Sequence, residues 1–600
     1  MKVEQGFQQT PVTLPLPYTC DQALQSLLER TLPRPIHGKV DDELRQFETR
    51  IAGPIRELAS VADTLPSSVE PSVTQFDQWG QRVDKLHTST SWQRLKGIAA
   101  EEGLVGIAFE RDEAEFSRTR VFAKSYLFAP DGLYVGCPLS MTDGCARVLE
   151  LVGTEHQKRE YIPLLCSRDP AKAWTAGQWM TERPGGSDVS LTETTARPLS
   201  SSNSSPKPGD KFVLDGFKWF SSATDGDVAL ALARTGGKGS RGLSLFLIQL
   251  RDKEGKTNGV YVHRLKKKFG TKALPTAELS IEGAVGELVG PLNAGVKTIS
   301  SVLNITRLHS SISCLSSLTR ALQLVKSFAS VRHIAGDVSS LLRSNAMHTS
   351  AIAQSEIVHR AVLHLAFGTI GLLGRGEVGK ASDGEKARLR LLTPVVKAFA
   401  AELTTSELPR LMEGLGGQGY MIENQFARLI ADANVERIWE GTTSILALDV
   451  VRVAAQTKGD AIKEFVTWAH QVLSSASASL PSLSSCFATL RSRLDLLALS
   501  IPTLLTPNLD LRLPRPVLFL IGYLASSLHL IEQASWSASQ KPEEAEMDNW
   551  VVKRWVEDGG AREVERRVKQ VVGMKGEERE WEMRREREVV YGIKEGKSKL

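Results

Sequence analysis

Between about residues 171 and 290 the apolar residues of this chain alternate with polar ones, whereas on both sides they recur every three or four positions. Periods of two and of about 3.6 belong to strands and helices, so a β domain must sit inside an otherwise helical protein. On the N-terminal side, Asp41-Asp42-Glu43-Leu44-Arg45-Gln46-Phe47 and Trp92-Gln93-Arg94-Leu95-Lys96-Gly97-Ile98 predict helices from about 40 to 153. In the middle, Lys211-Phe212-Val213-Leu214-Asp215-Gly216-Phe217-Lys218-Trp219-Phe220 reads as strand, Asp-Gly turn, strand, and Leu243-Ser244-Leu245-Phe246-Leu247-Ile248 as a further strand. Helical spacing returns at about Gly295, for example at Leu391, Val395, Ala398 and Phe399, and lasts to about Ala455, enough for four or more helices. The expected division is 1–170, 171–290 and 291–455, followed by an additional helical region, 456–600, with a charged tail.

Two segments are too polar to build a core. Leu199 to Pro206 is Ser-rich and predicts a surface loop, and Glu563 to Glu588 mixes acids and bases at the spacing of an exposed helix with i,i+4 pairs. A net charge of +5 spread over 600 residues is an ordinary solvated surface and does not point to nucleic acid. The six cysteines lie far apart with no C-x-x-C pair, which argues against a disulfide framework and a metal site. No apolar run approaches the length of a bilayer span, and the N-terminus has no signal-like apolar stretch, so neither a membrane partner nor secretion is expected. The last residues, Ser598-Lys599-Leu600, match the address that a peroxisomal import receptor reads, and predict a peroxisomal location.

Three stretches carry candidate chemistry. In Met180-Thr181-Glu182-Arg183-Pro184-Gly185-Gly186-Ser187-Asp188-Val189, small residues let backbone N–H groups approach an anionic or heteroaromatic ligand, although the same residues also make a plain surface turn. Lys218-Trp219-Phe220-Ser221-Ser222 could flank a planar cofactor or simply pack an aromatic strand. Arg437-Ile438-Trp439-Glu440-Gly441-Thr442-Thr443-Ser444 opens a helix-period run, where Glu440 and Thr442 could serve only as caps. Gly414, Gly416 and Gly419 also satisfy the G-x-G-x-x-G pattern of a dinucleotide site, but they follow a helical segment rather than a strand, so that reading is set aside.

Taken together, these stretches resemble the acyl-CoA dehydrogenase family from about Trp79 to about Ala455, with Lys268-Phe269-Gly270-Thr271-Lys272 and Gly414-Leu415-Gly416-Gly417-Gln418-Gly419-Tyr420 as further matches. Cys137-Pro138-Leu139-Ser140-Met141-Thr142 and Leu448-Asp449-Val450-Val451-Arg452-Val453 are similar to its AidB-type branch. The resemblance implies a mainly α fold with a β middle domain: an N-terminal helical domain, a β-barrel or sandwich domain and a C-terminal four-helix bundle, here with a helical extension. It also implies bound FAD, an acyl-CoA substrate and a homodimer or homotetramer. Carried over by motif, Met180 and Thr181 lie beside the flavin ring, Gly186 among the cofactor contacts, Ser187 near the pyrophosphate, and Phe220 and Ser222 against the ring's other edge. Arg332 would reach FAD across a subunit interface, in a segment where Ala335 replaces the usual Phe, and Gly417, Thr442 and Ser444 would complete the cofactor contacts.

Glu440 takes the catalytic place in this resemblance. Some subfamilies put the base on an earlier helix directly before an Arg, but here Thr306 precedes Arg307. A carboxylate in an apolar, closed pocket has its charged form disfavoured, which suits it to remove the acidified α-proton of a thioester while the β-hydrogen leaves as hydride to flavin N5. The expected product is a 2-enoyl-CoA, in fatty-acid β-oxidation or specialised acyl metabolism. Two alternatives remain: an AidB-like flavoprotein with a DNA-associated role, and an acyl-CoA oxidase that passes electrons to oxygen and yields peroxide.

Overall fold

The computed structural model describes residues 10–200, 205–252, 254–334 and 337–592; the Ser598-Lys599-Leu600 tail, Ala335 and part of the Ser-rich loop lie outside them. The chain divides into two compact units, residues 1–382 with 396–442, and residues 383–395 with 443–600.

The first unit begins with helices and then a two-stranded ribbon, β1 (Ser72–Phe76) and β2 (Arg82–His87). That ribbon interrupts the mainly helical domain expected over 40–153. Its strands are largely exposed, so they carry no apolar alternation for a sequence reading to find. The β domain follows as β3 (Ala176–Trp179), β4 (Thr195–Pro198), β5 (Lys211–Ser222), β6 (Val228–Arg234), β7 (Leu243–Gln249), β8 (Val260–Leu265) and β9 (Thr276–Val289). Strand β6 pairs with β4 and β7, β5 with β4 and β9, and β7 with β9, so five strands close a ring, with β3 added on β6 and β8 on β9. Closure removes most exposed edges.

Asp215-Gly216 is not a hairpin turn. Strand β5 runs unbroken from Lys211 to Ser222, and its register against β9 shifts at Leu214/Asp215, so the pair marks a bulge. The glycine is there for close approach: a Cβ on Gly216 would fall 2.4 Å from Thr194 Oγ1 and 2.6 Å from Thr194 Cα. Strand β6, Val-Ala-Leu-Ala-Leu-Ala-Arg, is buried on both faces. Ala229 and Ala231 join Phe212, Phe246 and Ile248 in one apolar cluster. Val228, Leu230 and Leu232 join a second, with Cys145 and Leu149 of α1 (Gly136–Val152) and Ile299 and Val302 of α2 (Gly295–Ala329).

Helix α2 is unusual in burying a polar middle, including Thr306, Arg307, His309 and Ser310. Helix α3 (Ala346–Glu377) follows, then α4 (Asp383–Glu413). The Gly416–Tyr420 turn comes after α4, with no strand before it, so the dinucleotide reading fails on structure as well. In the second unit, α5 (Thr443–Gln456) and later helices surround α6 (Pro514–Gln540), where Trp555 Nε1 donates to Ser526 Oγ at 3.0 Å. The last described helix, Gly576–Tyr591, has no buried residue, as its mixed charges predict. Helices α3 and α6 are long and apolar enough to cross a bilayer, but 78% and 89% of their apolar windows are buried inside the protein, which makes them core helices.

Candidate active site

Glu440 sits between a 3-10 turn, Asn434–Arg437, and α5. Its φ is +56° and that of Gly441 is +101°, so two successive residues are left-handed. For a residue with a Cβ this costs about 1–2 kcal/mol and persists only where contacts hold it. The contacts come from α2. Thr306 Oγ1 donates to Glu440 Oε2 at 2.5 Å, and Arg307 Nε faces the Glu440 carbonyl at 3.4 Å. A hydroxyl has one proton, and the carboxylate is a closer and stronger acceptor than the Val302 carbonyl at 3.3 Å. The Thr306-Arg307 pair on α2 thus holds both the side chain and the carbonyl of Glu440.

The glycine-rich stretch is pinned to β5 by a buried ion pair absent from the sequence reading. Lys218 Nζ, fully buried, lies 2.5 Å from Glu182 Oε1 and donates to the Leu232 carbonyl at 2.7 Å. Glu182 also accepts from Thr194 Oγ1 at 2.6 Å and from Glu193 N at 2.6 Å. Backbone pairing adds to this, since Trp219 N donates to the Thr181 carbonyl at 3.0 Å. Met180 packs against the apolar cluster of β6 and α1. Gly185 must be glycine, because a Cβ there would stand 2.2 Å from the Asp188 carbonyl oxygen. Gly186 and Ser187 are exposed on the same turn.

At the end of β5, Phe220 keeps 57% of its surface exposed, with Lys266 Nζ 4.9 Å from its ring centroid and Trp219 set edge-on to it. Ser222 Oγ lies 3.0 Å from Thr276 Oγ1. Lys268 donates to the Thr271 carbonyl at 2.7 Å and the Leu274 carbonyl at 2.5 Å, and burial pulls its pKa down to about 8. Burial pushes the thiol of Cys137, at the start of α1, well up. The sequence signal for Cys137 was only its place in a branch motif, with no chemistry attached.

Of the remaining predicted residues, Arg332 is exposed just beyond α2, Gly417 is exposed with open space where a Cβ would project, and Thr442 follows Gly441 at partial exposure. Ser444 is exposed in the first turn of α5, in the second unit. The structure thus brings Thr181 to β5 through Trp219 and Gly186 beside Thr181, and gives Glu440 its hydrogen bond from α2.

Models of known families match the chain in the same order as its domains: the AidB N-terminal domain over residues 9–170, the acyl-CoA dehydrogenase middle domain over 177–284, and the acyl-CoA dehydrogenase C-terminal domain over 293–455. Acyl-CoA dehydrogenase family member 11 of Caenorhabditis elegans is 42% identical over 459 residues, 75% of this chain and 72% of that protein. The chain belongs to the acyl-CoA dehydrogenase family. The solved structure of Caenorhabditis elegans ACDH-11 in complex with C11-CoA superposes with a TM-score of 0.88 at 35% identity, covering 99% of this chain and 100% of that one. AidB of Escherichia coli is 28% identical over 413 residues, 67% of this chain and 72% of its own length. An acyl-CoA dehydrogenase from Bacillus anthracis, complexed with FAD, shares the fold with a TM-score of 0.65 at 20% identity, over 82% of this chain and 85% of that one.

The residues present fit the flavin of an acyl-CoA dehydrogenase. Gln178 Oε1 on β3 and Ser221 Oγ on β5 are buried without a hydrogen-bond partner among the described residues. An unmet buried polar group costs about 1–3 kcal/mol, which a ligand's polar edge can recover. The half-exposed ring of Phe220 and the exposed Gly186-Ser187 turn add an aromatic surface and backbone amides open to a ligand.

Proposed function

We propose that this acyl-CoA dehydrogenase removes the α-proton of an acyl-CoA thioester with Glu440 and forms the 2-enoyl-CoA. The observation that carries the proposal is a carboxylate held in a left-handed turn by the Thr306 hydroxyl. That hydrogen bond fixes one carboxylate oxygen and leaves the other to take a proton, so no rotamer search precedes the transfer. Met180, Thr181, Gly186, Ser187, Phe220, Ser222, Arg332, Gly417, Thr442 and Ser444 are the residues proposed to hold FAD. FAD, when bound, supplies the acceptor for the two electrons that leave with the β-hydrogen.

The CoA ester bound by ACDH-11 supports an aliphatic acyl-CoA as substrate here. A homo-oligomer and a peroxisomal location, directed by Ser598-Lys599-Leu600 to the import receptor, belong to the same proposal. Reporter fusions with and without that tripeptide test the address, and peroxide formed per turnover separates oxygen from a carrier protein as the acceptor. The DNA-associated alternative gains nothing from the C-terminal helices, where Arg566, Lys569 and Arg585 are each paired with a glutamate on the same helix. The test of the proposal is anaerobic addition of acyl-CoA esters to the FAD-loaded protein. Loss of the oxidised-flavin absorbance is expected, and a bound flavin that no ester reduces overturns it.

A further inference from the structure

Thr306 holds the side chain of Glu440, but the backbone on either side of it is tied to two other buried ionisable groups. Lys397 on α4 is 1% exposed, and its Nζ donates to the Gly441 carbonyl at 2.7 Å. Glu436, fully buried, precedes Glu440 by four residues. Its carboxylate accepts from Trp439 Nε1 at 2.5 Å, from Ser310 Oγ at 2.5 Å and from Tyr134 OH at 3.2 Å. The neighbours of the base, Trp439 before it and Gly441 after it, are therefore each anchored to one of these groups. The facing helix repeats the spacing: Thr306 and Ser310, four apart on α2, grip Glu440 and Glu436, four apart in the chain. A lone buried ammonium or carboxylate is expensive, and here the two offset each other's charge across the turn. An apolar pair could fill the same volume but could not satisfy the Gly441 carbonyl or the Trp439 and Ser310 donors.

We propose that Lys397 and Glu436 form a buried positioning pair that holds the Glu440–Gly441 turn in its left-handed geometry and so keeps the base in place for proton transfer. The inference rests on Glu440 being the base. Neither group takes the substrate's proton; both act through the backbone and side chains that flank Glu440.

The test uses the FAD-loaded full chain with Lys397→Met, Lys397→Arg and Glu436→Gln, read by hydrogen exchange over residues 434–442 and by kcat against KM. In Lys397→Met, exchange over 434–442 is expected to quicken about tenfold while other segments stay as in the wild type. The kcat is expected to fall about 100-fold, the size of effect that a small misplacement of a reacting group produces, with KM for the acyl-CoA within about twofold. Lys397→Arg keeps a donor and the charge, and is expected to recover most of the lost kcat. Wild-type exchange and wild-type kcat in Lys397→Met and Glu436→Gln would overturn the pair, as would loss of exchange protection spread evenly over the chain, which marks general packing. Should Lys397→Met not fold, Glu436→Gln and Lys397→Arg carry the same readouts. A Glu440→Gln protein that still reduces its flavin would overturn the base assignment instead, and exchange over 434–442 would then judge the pair alone.

Discussion

Two buried lysines in the first unit are built into the candidate site in opposite ways. Lys218 meets Glu182 directly, 2.5 Å apart, and Thr194 and the Glu193 amide take up further acceptor capacity of the carboxylate. Lys397 donates to a carbonyl, that of Gly441, while Glu436 takes its donors from Ser310, Trp439 and Tyr134. Contact between the charges makes the first pair a staple that fixes the glycine-rich turn to β5. The second pair lacks that direct contact: burial raises the pKa of Glu436 and lowers that of Lys397, disfavouring the charged form of each. The difference teaches that a buried charge fixes one segment to another where the partners touch, and ties down the backbone of a turn where they do not.

The largest expected effect breaks the staple. Lys218→Met leaves Glu182 buried and uncompensated, and should destabilise the protein by about 3–5 kcal/mol in denaturant melts, with FAD content falling alongside. A smaller effect is expected at the Glu440 turn. Thr306→Val removes one hydrogen bond to a carboxylate and should lower kcat about 10- to 100-fold, with a stability loss of about 1.5–3 kcal/mol, smaller than that of Lys218→Met. Equal melting losses in both variants would erase the contrast between the two regions.

Lys268 extends the comparison to a lysine that rests on carbonyls, with no carboxylate in ion-pair contact among the described residues. Its pKa is pulled from 10.5 to about 8, so folding disfavours its charged form. Above 10.5 the group is neutral in both states and costs nothing; the cost grows as pH falls from 10.5 to 8 and is constant below that. Stability should therefore gain about 3 kcal/mol from this group as pH rises from 8 to 10.5, and Lys268→Met should lack that gain. A profile unchanged by the substitution would show the ammonium to be better solvated than its surroundings indicate.

The helical, β, helical order was legible because long segments hold one period, and the three motifs were legible because Gly185-Gly186, Trp219-Phe220 and Glu440-Gly441 stand out from those periods. What was hidden depends on partners distant in sequence. Gly216 looks like a turn residue until Thr194 is seen against its backbone, and the β1–β2 ribbon has too little buried face to pattern its residues. Glu182 and Lys218 lie inside quoted motifs, yet their pairing spans 36 residues and appears only when β5 passes the turn. Lys397 and Glu436 sit in helical and 3-10 segments where nothing in the local pattern separates a buried charge from a solvated one. Thr306 was noted for the base it replaces, and its hydrogen bond to Glu440 required the fold.

The most direct test is a single anaerobic turnover followed by absorbance, comparing the FAD-loaded protein with its Glu440→Gln variant. With an acyl-CoA ester in excess, the wild type should lose its oxidised-flavin band, while Glu440→Gln should retain FAD and reduce it about 10⁴-fold more slowly. Equal rates of reduction in the two proteins would contradict the assignment of Glu440 as the base, and a wild-type flavin that no acyl-CoA reduces would contradict dehydrogenation itself.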